Sequence, residues 1–249
     1  MAARRKVRER VIVLSRTKLA EQDLIVTTMN DRGEQVRAVA KGARKPGSRL
    51  AARTELFCEV DMLMTEGRNL GIITEAQTLD AHVGIRSDFD KVSAASAVCE
   101  VARLTCDEHL EDPFSFAILS RTLAVIEGVS DQAHMDLCVA AYAFKVLSHH
   151  GWQPELEQCV SCGEVPVTRF SVQAGGMLCD SCSRDVAGAH EVSDVTVGWL
   201  SALIGCTYDT LMASDVGETL PSELLSLAHE WATTHLDSRL RAMEFYRGV

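Results

Sequence analysis

The strongest constraint on the fold of this chain comes from four cysteines spaced as Cys159-x2-Cys162-x16-Cys179-x2-Cys182. Two Cys-x2-Cys pairs separated in this way are typical of a zinc site with four thiolate ligands. Four protein ligands leave no position on the metal for water or substrate. We therefore predict one structural Zn²⁺ per chain, held in an insertion at about residues 155–185.

The other cysteines fall on apolar faces, which predicts core positions for Cys58, Cys99, Cys106, Cys138 and Cys206. Nine cysteines is an odd number, and the basic first ten residues lack the apolar stretch of a secretory signal. No apolar run reaches the ~18 residues that would span a membrane. These features predict a reducing, cytoplasmic compartment and a mobile N-terminal arm before the first strand.

The first 80 residues show the short, alternating apolar patterns of β-strands. Five strands are predicted, at residues 11–14, 24–29, 34–40, 55–64 and 70–76, with turns at 30–33 and 65–69. So many short strands joined by hairpins favour a closed barrel, which has no exposed edge. We predict an OB-fold domain over residues 1–80. Periodicity alone does not separate it from an SH3-like barrel.

From residue 81 onwards the apolar residues recur at helical spacing. Helices are predicted at about residues 92–106, 116–126, 135–149, 195–211 and 222–246. The sequence therefore predicts an α+β multidomain protein, in which a five-stranded OB-fold barrel precedes an α-helical domain over residues 81–249. The zinc module is an insertion in this helical domain.

Charge is distributed unevenly along the chain. Residues 1–53 hold 14 Lys and Arg against five Asp and Glu, a net charge of +9. Residues 54–249 hold 11 Lys and Arg against 30 Asp and Glu, a net charge of −19. This asymmetry indicates a polyanionic partner for the N-terminal part alone. The acidic remainder would repel the same partner.

The cations of the N-terminal part are densest at residues 41–49, where Gly and Pro predict a loop. Six residues of this region are candidate DNA contacts: Arg37, Lys41, Arg44, Lys45, Arg49 and Arg53. Phe57 is the only aromatic residue between positions 1 and 80, so the barrel has no set of aromatics on which bases could stack. The hypothesis is that these cations bind the phosphates of single- and double-stranded DNA and leave the bases free to pair.

Two motifs resemble catalytic sites but lack essential parts. Gly42-x4-Gly47 is not followed by the Lys of a nucleotide-binding loop. The sequence HLE at 109–111 with a later Cys-x2-Cys resembles a zinc deaminase, but Gln158 stands where that site has Pro. No Ser/His/Asp set or carboxylate pair stands out. We predict that the protein is not an enzyme.

Two other functions compete with this interpretation. A zinc-dependent nucleic-acid enzyme would need an open metal position and a nearby acid or base, which four thiolates do not leave. A zinc-ribbon regulator that reads duplex DNA would place cations beside the cysteines. Residues 155–185 instead hold only Arg169 and Arg184 against five acidic residues. Indifference to DNA sequence would exclude the regulator.

Several segments, taken together, resemble the RecO family of bacterial DNA repair and recombination mediators. They are VLSRT at 13–17, EQDLI at 21–25, KGARKP at 41–46, GWQP at 151–154 with the first cysteine pair, GGMLC at 175–179 and HLDSRL at 235–240. The resemblance extends over most of the chain. It implies an N-terminal OB-fold, a helical C-terminal domain and, in many members, a four-cysteine zinc site.

The resemblance also implies a function and partners. Members of the family anneal complementary DNA strands and, with RecR, help to load RecA onto DNA coated by single-stranded-DNA-binding protein (SSB). A cytoplasmic, nucleoid-associated protein is therefore expected. The family binds the acidic tail of SSB, usually through the helical domain, and three cations on predicted helices are candidates for that contact: Arg103, Arg121 and Lys145.

Overall fold

The structure is a computed structural model that describes residues 5–67, 70–217 and 219–248. The chain forms two compact units, Met1–Glu127 and Gly128–Val249. The first unit therefore contains helices that follow the barrel. The division into domains at residue 80 stays a prediction about which parts fold independently. Among the described residues, no helix has the length and apolar character needed to cross a membrane.

The first unit is built around a closed five-stranded barrel. Its elements are β1 (Lys6–Leu19), β2 (Asp23–Asn30), β3 (Gln35–Ala40), α1 (Arg49–Arg53), β4 (Glu59–Thr65) and β5 (Gly71–Asp80). The strand order is β1-β2-β3-β5-β4, and β4 pairs back onto β1. All neighbours are antiparallel except β3 and β5, which pair in parallel. This arrangement confirms the five-stranded OB-fold barrel.

The core of the barrel follows from the alternation of its strands. Val11 and Val13 of β1 point into the barrel, where they pack with Val26, Val60 and Met62 of the neighbouring strands. Residues on the opposite face of β1 and β2 are also buried, and α3 packs against β1. The helices that follow the barrel therefore cover part of its outer surface.

Two local predictions in the barrel were wrong. The expected N-terminal arm is strand from Lys6 onwards, because residues 6–12 pair with β4. Residues 1–4 lie outside the described residues, as do positions 68 and 69 of the predicted turn at 65–69. The loop predicted at residues 41–49 extends to Ser48, which caps the short helix α1 by accepting a hydrogen bond from the Ala51 N–H. β4 consequently begins at Glu59 instead of residue 55.

Three helices complete the first unit: α2 (Val83–Arg86), α3 (Phe89–Thr105) and α4 (Pro113–Gly128). The turn between β2 and β3 docks onto the connection between α3 and α4, where the Asp112 N–H donates to Arg32 O at 2.6 Å. Gly33 has a φ of +85°, and a Cβ at this position would lie 1.9 Å from Asp112 O. Only glycine fits there, so the NDRG turn signal also fixes this contact.

The second unit is helical apart from one small sheet. Its helices are α5 (Gln132–His149), α6 (Asp180–Ser183), α7 (Asp194–Gly205), α8 (Tyr208–Met212), α9 (Leu220–His235) and α10 (Arg241–Arg247). The sheet consists of β6 (Arg169–Ser171), β7 (Gly176–Leu178) and β8 (His190–Glu191). Most of α5 is buried, and α7 and α9 pack against it. These elements confirm a helical C-terminal part that carries the cysteine module.

Two helices predicted as continuous are each broken in the structure. The segment 195–211 stops at Cys206, and α8 restarts with Thr207 as its N-cap. The segment 222–246 is interrupted after His235, where Asp237 has a φ of 45°. Apolar periodicity continues across both breaks, which is why the sequence alone does not reveal them.

The cysteines outside the metal motif lie mainly in the core. Cys58, Cys99 and Cys138 are buried, and Cys106 and Cys206 are partly exposed. Burial raises the pKa of Cys99 to about 12, so this thiol remains protonated at neutral pH. None of the five belongs to a metal-binding group among the described residues.

The C-terminal helix is tied to α5 through a buried carboxylate. Asp136 Oδ1 accepts hydrogen bonds of 2.6 Å from Tyr246 Oη and from Gln132 Nε2. Burial raises the pKa of Asp136 above its ordinary value. The carboxyl group of Asp136 therefore ionises less readily in the folded protein than in the unfolded chain.

We expect this carboxylate to make stability fall as pH rises. The folded protein holds a proton on Asp136 over a range in which the unfolded chain has lost it, so the contribution declines from about pH 4 until the raised pKa is passed. The Asp136→Asn variant does not titrate there. The free energy of unfolding of both proteins can be measured by denaturant titration. The value for the native protein minus that for the variant should fall over this pH window and then level off. A difference that stays constant with pH would contradict the prediction.

Candidate nucleic-acid interface and metal centre

The predicted DNA contacts lie on an exposed surface of the barrel, mainly around the loop between β3 and α1. We call residues 41–48 the basic loop. Lys41, Arg44 and Lys45 are exposed within it, and Arg49 and Arg53 are exposed on α1, which follows directly. Arg37 is exposed on β3. The structure thus brings five of the six candidates together on one stretch of loop and helix.

The basic loop is attached to the turn between β1 and β2. Arg44 Nη1 donates to the main-chain oxygens of Ala20 at 3.3 Å and Glu21 at 2.8 Å, and the Arg44 N–H donates to Gln22 O at 2.9 Å. The Gly42 N–H adds a bond of 2.7 Å to the Asp23 side chain. Arg44 therefore holds the loop in shape, in addition to contributing charge.

The amides of the basic loop are not available to cradle a nucleotide phosphate. Those of Gly42 and Arg44 bond to the β1–β2 turn, and those of Lys45 and Ser48 bond within the loop, to Gly42 O and Lys45 O. A phosphate-binding loop needs its N–H groups free and pointing at the ligand. This arrangement agrees with the absence of the lysine that such a loop requires.

Several cations of the barrel already hold carboxylates. The pairs are Arg10 with Glu59, Arg16 with Glu55, Arg32 with Glu9 and Glu34, and Arg37 with Glu108. The hydrogen bonds from Arg32 to Glu34 and Glu9 raise the pKa of Arg32 further above its ordinary value. Glu55, Glu59 and Glu108 lie outside the first 53 residues, so their pairs offset part of the net charge of +9 of that segment.

Other cations remain available to an anion. Within the described residues, the side chains of Lys18, Lys41, Lys45 and Arg49 make no ion pair or hydrogen bond. Lys41, Lys45 and Arg49 belong to the basic loop and the start of α1, and Lys18 lies near the end of β1, beside the turn that holds the loop. Lys18 was missed because its cluster is formed by folding and not by sequence. Four unpaired cations thus lie at or beside the basic loop, while Arg5 and Lys6, which are also exposed and unpaired in the described part of the chain, lie at the start of β1.

Arg37 is set apart from the other candidates. It lines a groove with Glu66, Glu108 and His109, and its Nη1 lies 4.0 Å from Glu108 Oε1. Arg37 is the one Lys or Arg among the described residues that line this groove, so carboxylates outnumber cations there and make the groove unfavourable for phosphate. The outward position of Arg37 on β3 is visible in the strand pattern, but its acidic neighbours come from distant segments.

The face of β2 and β3, which OB-folds commonly use for nucleic acid, is partly covered here by the chain itself. Gln35 at the start of β3 donates from its side chain to Arg103 O at 2.9 Å and from its backbone to Asp107 O at 2.8 Å. Thr27 and Met29 on β2 are buried. Phe57 is only 2% exposed and lies in the segment before β4. The barrel therefore presents no aromatic side chain on which a base could stack.

The four metal-motif cysteines converge in the second unit. The sulfur atoms of Cys159, Cys162, Cys179 and Cys182 all lie within 4.8 Å of one another, and the Cys162 and Cys179 sulfurs are 3.8 Å apart. A tetrahedral ion with Zn–S bonds of about 2.3 Å holds its sulfurs about 3.8 Å apart. The geometry fits a four-thiolate metal ion and is far too wide for a disulfide bond of about 2 Å.

Short turns position these thiols. The Gly163 N–H donates to Cys159 O at 2.8 Å, and the Cys182 N–H donates to the Cys179 sulfur at 3.5 Å at the start of α6. Backbone N–H groups, first that of Cys179, lower the pKa of Cys159 to about 6. Hydrogen bonds with Cys179 and Cys162 raise the pKa of Cys182 to about 12. The Cys159 thiol thus ionises more readily than a free thiol, whereas a nearby cation would be needed to favour the thiolate of Cys182.

The cysteine module packs against α9. The Phe170 ring of β6 lies 5.7 Å from the Trp231 ring, and Trp231 Nε1 donates to Trp152 O at 3.0 Å. Both Phe170 and Trp231 are buried. The module therefore contributes to the core of the second unit through this aromatic contact.

A second group of possible metal ligands, Asp80, His82 and Glu127, is already satisfied. His82 Nδ1 lies 2.8 Å from one Glu127 oxygen, and the Gly84 N–H donates to the other at 2.8 Å. The Asp80 side chain accepts from the His82 N–H at 2.9 Å. These bonds join β5, α2 and α4. The histidine of the HLE segment at 109–111 belongs to neither metal group of the described residues.

Among the cations considered for the SSB tail, Lys145 has a structural partner. Its Nζ donates to Ile204 O at 3.0 Å and also to Cys206 O, which satisfies the carbonyls at the end of α7. Burial lowers the pKa of Lys145. Arg103 and Arg121 lie on α3 and α4 of the first unit. A tail contact through these residues stays a prediction.

Comparison with known proteins gives matches along nearly the whole chain. Residues 1–82 match the family described as recombination protein O N terminal, and residues 86–244 match recombination protein O C terminal. The DNA repair protein RecO of Bifidobacterium adolescentis is 32% identical over 245 residues, covering 93% of this chain and 95% of the relative. That of Bifidobacterium animalis subsp. lactis is 33% identical over 239 residues, covering 95% and 97%. That of a Roseiflexus species is 36% identical over 182 residues, covering 72% and 63%.

Proposed function

The chain belongs to the RecO family of DNA repair proteins, and from this premise we propose that it binds DNA through the phosphate backbone at the basic loop. One observation carries the proposal: four unpaired cations, Lys18, Lys41, Lys45 and Arg49, lie at or beside the basic loop, on a barrel without exposed aromatics among its described residues. Lys41, Lys45 and Arg49 would bind phosphates directly. Arg44 would hold the loop in place, and Arg53 would contribute from α1.

Binding of this kind suits the annealing of complementary strands. A strand held by its phosphates keeps its base edges exposed, so a second strand can pair with it while both remain bound. Stacking on aromatic side chains would have to be broken before pairing. We therefore propose that the protein anneals complementary DNA and binds both single- and double-stranded DNA with little sequence preference.

The partners of the protein are proposed from its family. We propose that, together with RecR, it helps RecA to load onto single-stranded DNA coated by SSB, and that it contacts the tail of SSB. We propose that it does so without turnover chemistry of its own. Support for this comes from the four-thiolate geometry, which leaves a metal no open position, and from the bonded amides of the basic loop.

One Zn²⁺ is proposed as a structural ion in the second unit, bound by Cys159, Cys162, Cys179 and Cys182. The sulfur separations, the thiolate character of Cys159 and the packing of the module on α9 support this assignment. When bound, the ion supplies the positive charge that keeps four thiolates together. The cysteine loops then hold Phe170 against Trp231.

A strand-annealing assay tests this function. Two complementary labelled oligonucleotides should pair faster with the protein than without it, in the absence of nucleotide and for unrelated sequences alike. The rate should fall with added salt, because each phosphate contact releases counterions. A dependence on one sequence would favour a duplex-reading regulator, and consumption or cleavage of the DNA would favour an enzyme. Either result would contradict the proposal.

A further inference from the structure

A second basic surface of the first unit lies next to the basic loop. It is a groove of about 400 Å³ formed by β1, α1, β4 and β5. Three arginines line it: Arg49 and Arg53, which lie four residues apart on α1, and Arg8 on β1. Residues four apart share one face of a helix. Arg53 Nη1 donates to Ala76 O at 3.0 Å, which leaves most of its donors free.

Two carboxylates share this groove with the arginines. Arg8 Nη1 lies 3.4 Å from Asp61 Oδ2, and Arg8 Nη2 lies 3.6 Å from Glu75 Oε2. Both distances exceed the ~2.7–2.9 Å of a charge-assisted hydrogen bond. The side chains of Arg8 and Glu75 are 59% and 68% exposed, so water screens the pair. By contrast, Arg32 reaches Glu9 at 2.8 Å and Glu34 at 2.6 Å.

The groove therefore differs from the other charged surfaces of the barrel. Its arginines are either unpaired, as Arg49 is, or held only weakly, as Arg8 is. A phosphate group offers a guanidinium a planar, two-bond contact that these long ion pairs do not provide. The groove begins at Arg49, where the basic loop ends. A strand that follows the loop would therefore reach this groove next.

We infer that this groove is a second contact for the DNA backbone, in which Arg8, Arg49 and Arg53 bind phosphate while Asp61 and Glu75 compete for Arg8 and limit the affinity. The inference rests on the proposed function of the basic loop and extends it. The two carboxylates repel phosphate and return to Arg8 when the strand leaves. Limited affinity is useful to an annealing protein, because it must release the duplex that it has formed.

Single substitutions with a measured Kd and salt dependence test the inference on the full chain. Arg8→Ala should reduce the slope of log K against log salt by about 0.7–0.9, the value expected for one phosphate contact. Glu75→Gln should tighten binding of single-stranded DNA about two- to fivefold at low salt, because it removes a negative charge near phosphate. When Arg8→Ala is also present, Glu75→Gln should tighten DNA binding less, because part of its effect comes from releasing Arg8 to bind phosphate.

The exposed pair of Arg169 with Glu191 in the second unit supplies matched controls. Arg169→Ala and Glu191→Gln change the net charge equally and should leave DNA binding unchanged. Equal tightening by Glu191→Gln and Glu75→Gln would overturn the inference, since it would reveal an effect of net charge alone. Unchanged binding in Arg8→Ala and Glu75→Gln would overturn it too. If Arg8→Ala and Glu75→Gln leave the Kd unchanged while Lys41→Ala and Lys45→Ala weaken binding, the proposed function of the basic loop stands. If none of the four variants changes the Kd, the proposed function is wrong.

Discussion

The double variant Lys41→Ala/Lys45→Ala is expected to bind DNA on the order of 100-fold more weakly than the native protein at about 50 mM salt. At that concentration, the release of counterions by each phosphate contact is worth roughly tenfold in affinity. The slope of log K against log salt should fall by about 1.4–1.8 for the two contacts. The loss should be equal for unrelated sequences, because phosphates carry no sequence information. The annealing rate should decrease with the affinity.

The choice of these two lysines follows from the environment of each cation. Lys41 and Lys45 have no side-chain partners among the described residues, so their removal leaves no carboxylate or carbonyl unsatisfied. Arg44 is less suitable, because its guanidinium holds the β1–β2 turn and its loss would also disturb the loop. The variant Arg169→Ala/Arg239→Ala carries the same charge change on the second unit and should bind normally. Normal binding by the lysine variant would place the DNA site elsewhere.

The sequence locates the cationic region but does not show which of its Lys and Arg residues are paired with carboxylates. The density of Lys and Arg at residues 41–49 is visible in the chain, and this segment does contain the unpaired cations of the basic loop. Which arginines are neutralised is decided by acids from distant strands and loops. Glu108, which pairs with Arg37, follows α3. Arg8 was overlooked because the first strand was taken to begin at residue 11.

The barrel was predicted well because each strand carries its own alternating pattern. Closure is a property of the assembled sheet, and the parallel pairing of β3 with β5 leaves no mark in either strand. The periodicity of the helices of the first unit predicts the helices themselves, but it does not indicate that α3 packs on β1 or that Gln35 of β3 bonds to Arg103 O. Such contacts join segments that are far apart in the chain.

The cysteine cluster was the most predictable part of the molecule. A Cys-x2-Cys pair brings its two thiols together through one tight turn, so the spacing alone places the two ligands of each pair next to each other. The convergence of the two pairs depends on the hairpin of β6 and β7, whose strands have only three residues each. Contacts such as Phe170 on Trp231 join segments far apart in the chain, and spacing cannot predict them.

Removal of the metal is expected to have the largest effect on stability. Structural zinc contributes about 10–16 kcal/mol of apparent binding free energy in small zinc-finger peptides, which is comparable with the 5–15 kcal/mol that stabilises a whole domain. A chelator, or the substitution Cys179→Ser, should therefore unfold at least the module at residues 152–191. Trp231 would lose Phe170 and become exposed, and its fluorescence should shift to longer wavelength. Elemental analysis of the native protein should give about one zinc per chain.

The substitution Cys206→Ser is the matched control for this effect. Cys206 is a partly exposed cysteine of the same unit that belongs to no metal group of the described residues, so the variant should keep its zinc and its melting temperature. The proposed DNA contacts lie in the first unit, so zinc loss should affect stability more than the salt slope of DNA binding. A Cys179→Ser protein that melts like the control would show that the ion is not structural. A metal-free protein of native stability that has lost annealing would instead assign the ion a direct part in annealing.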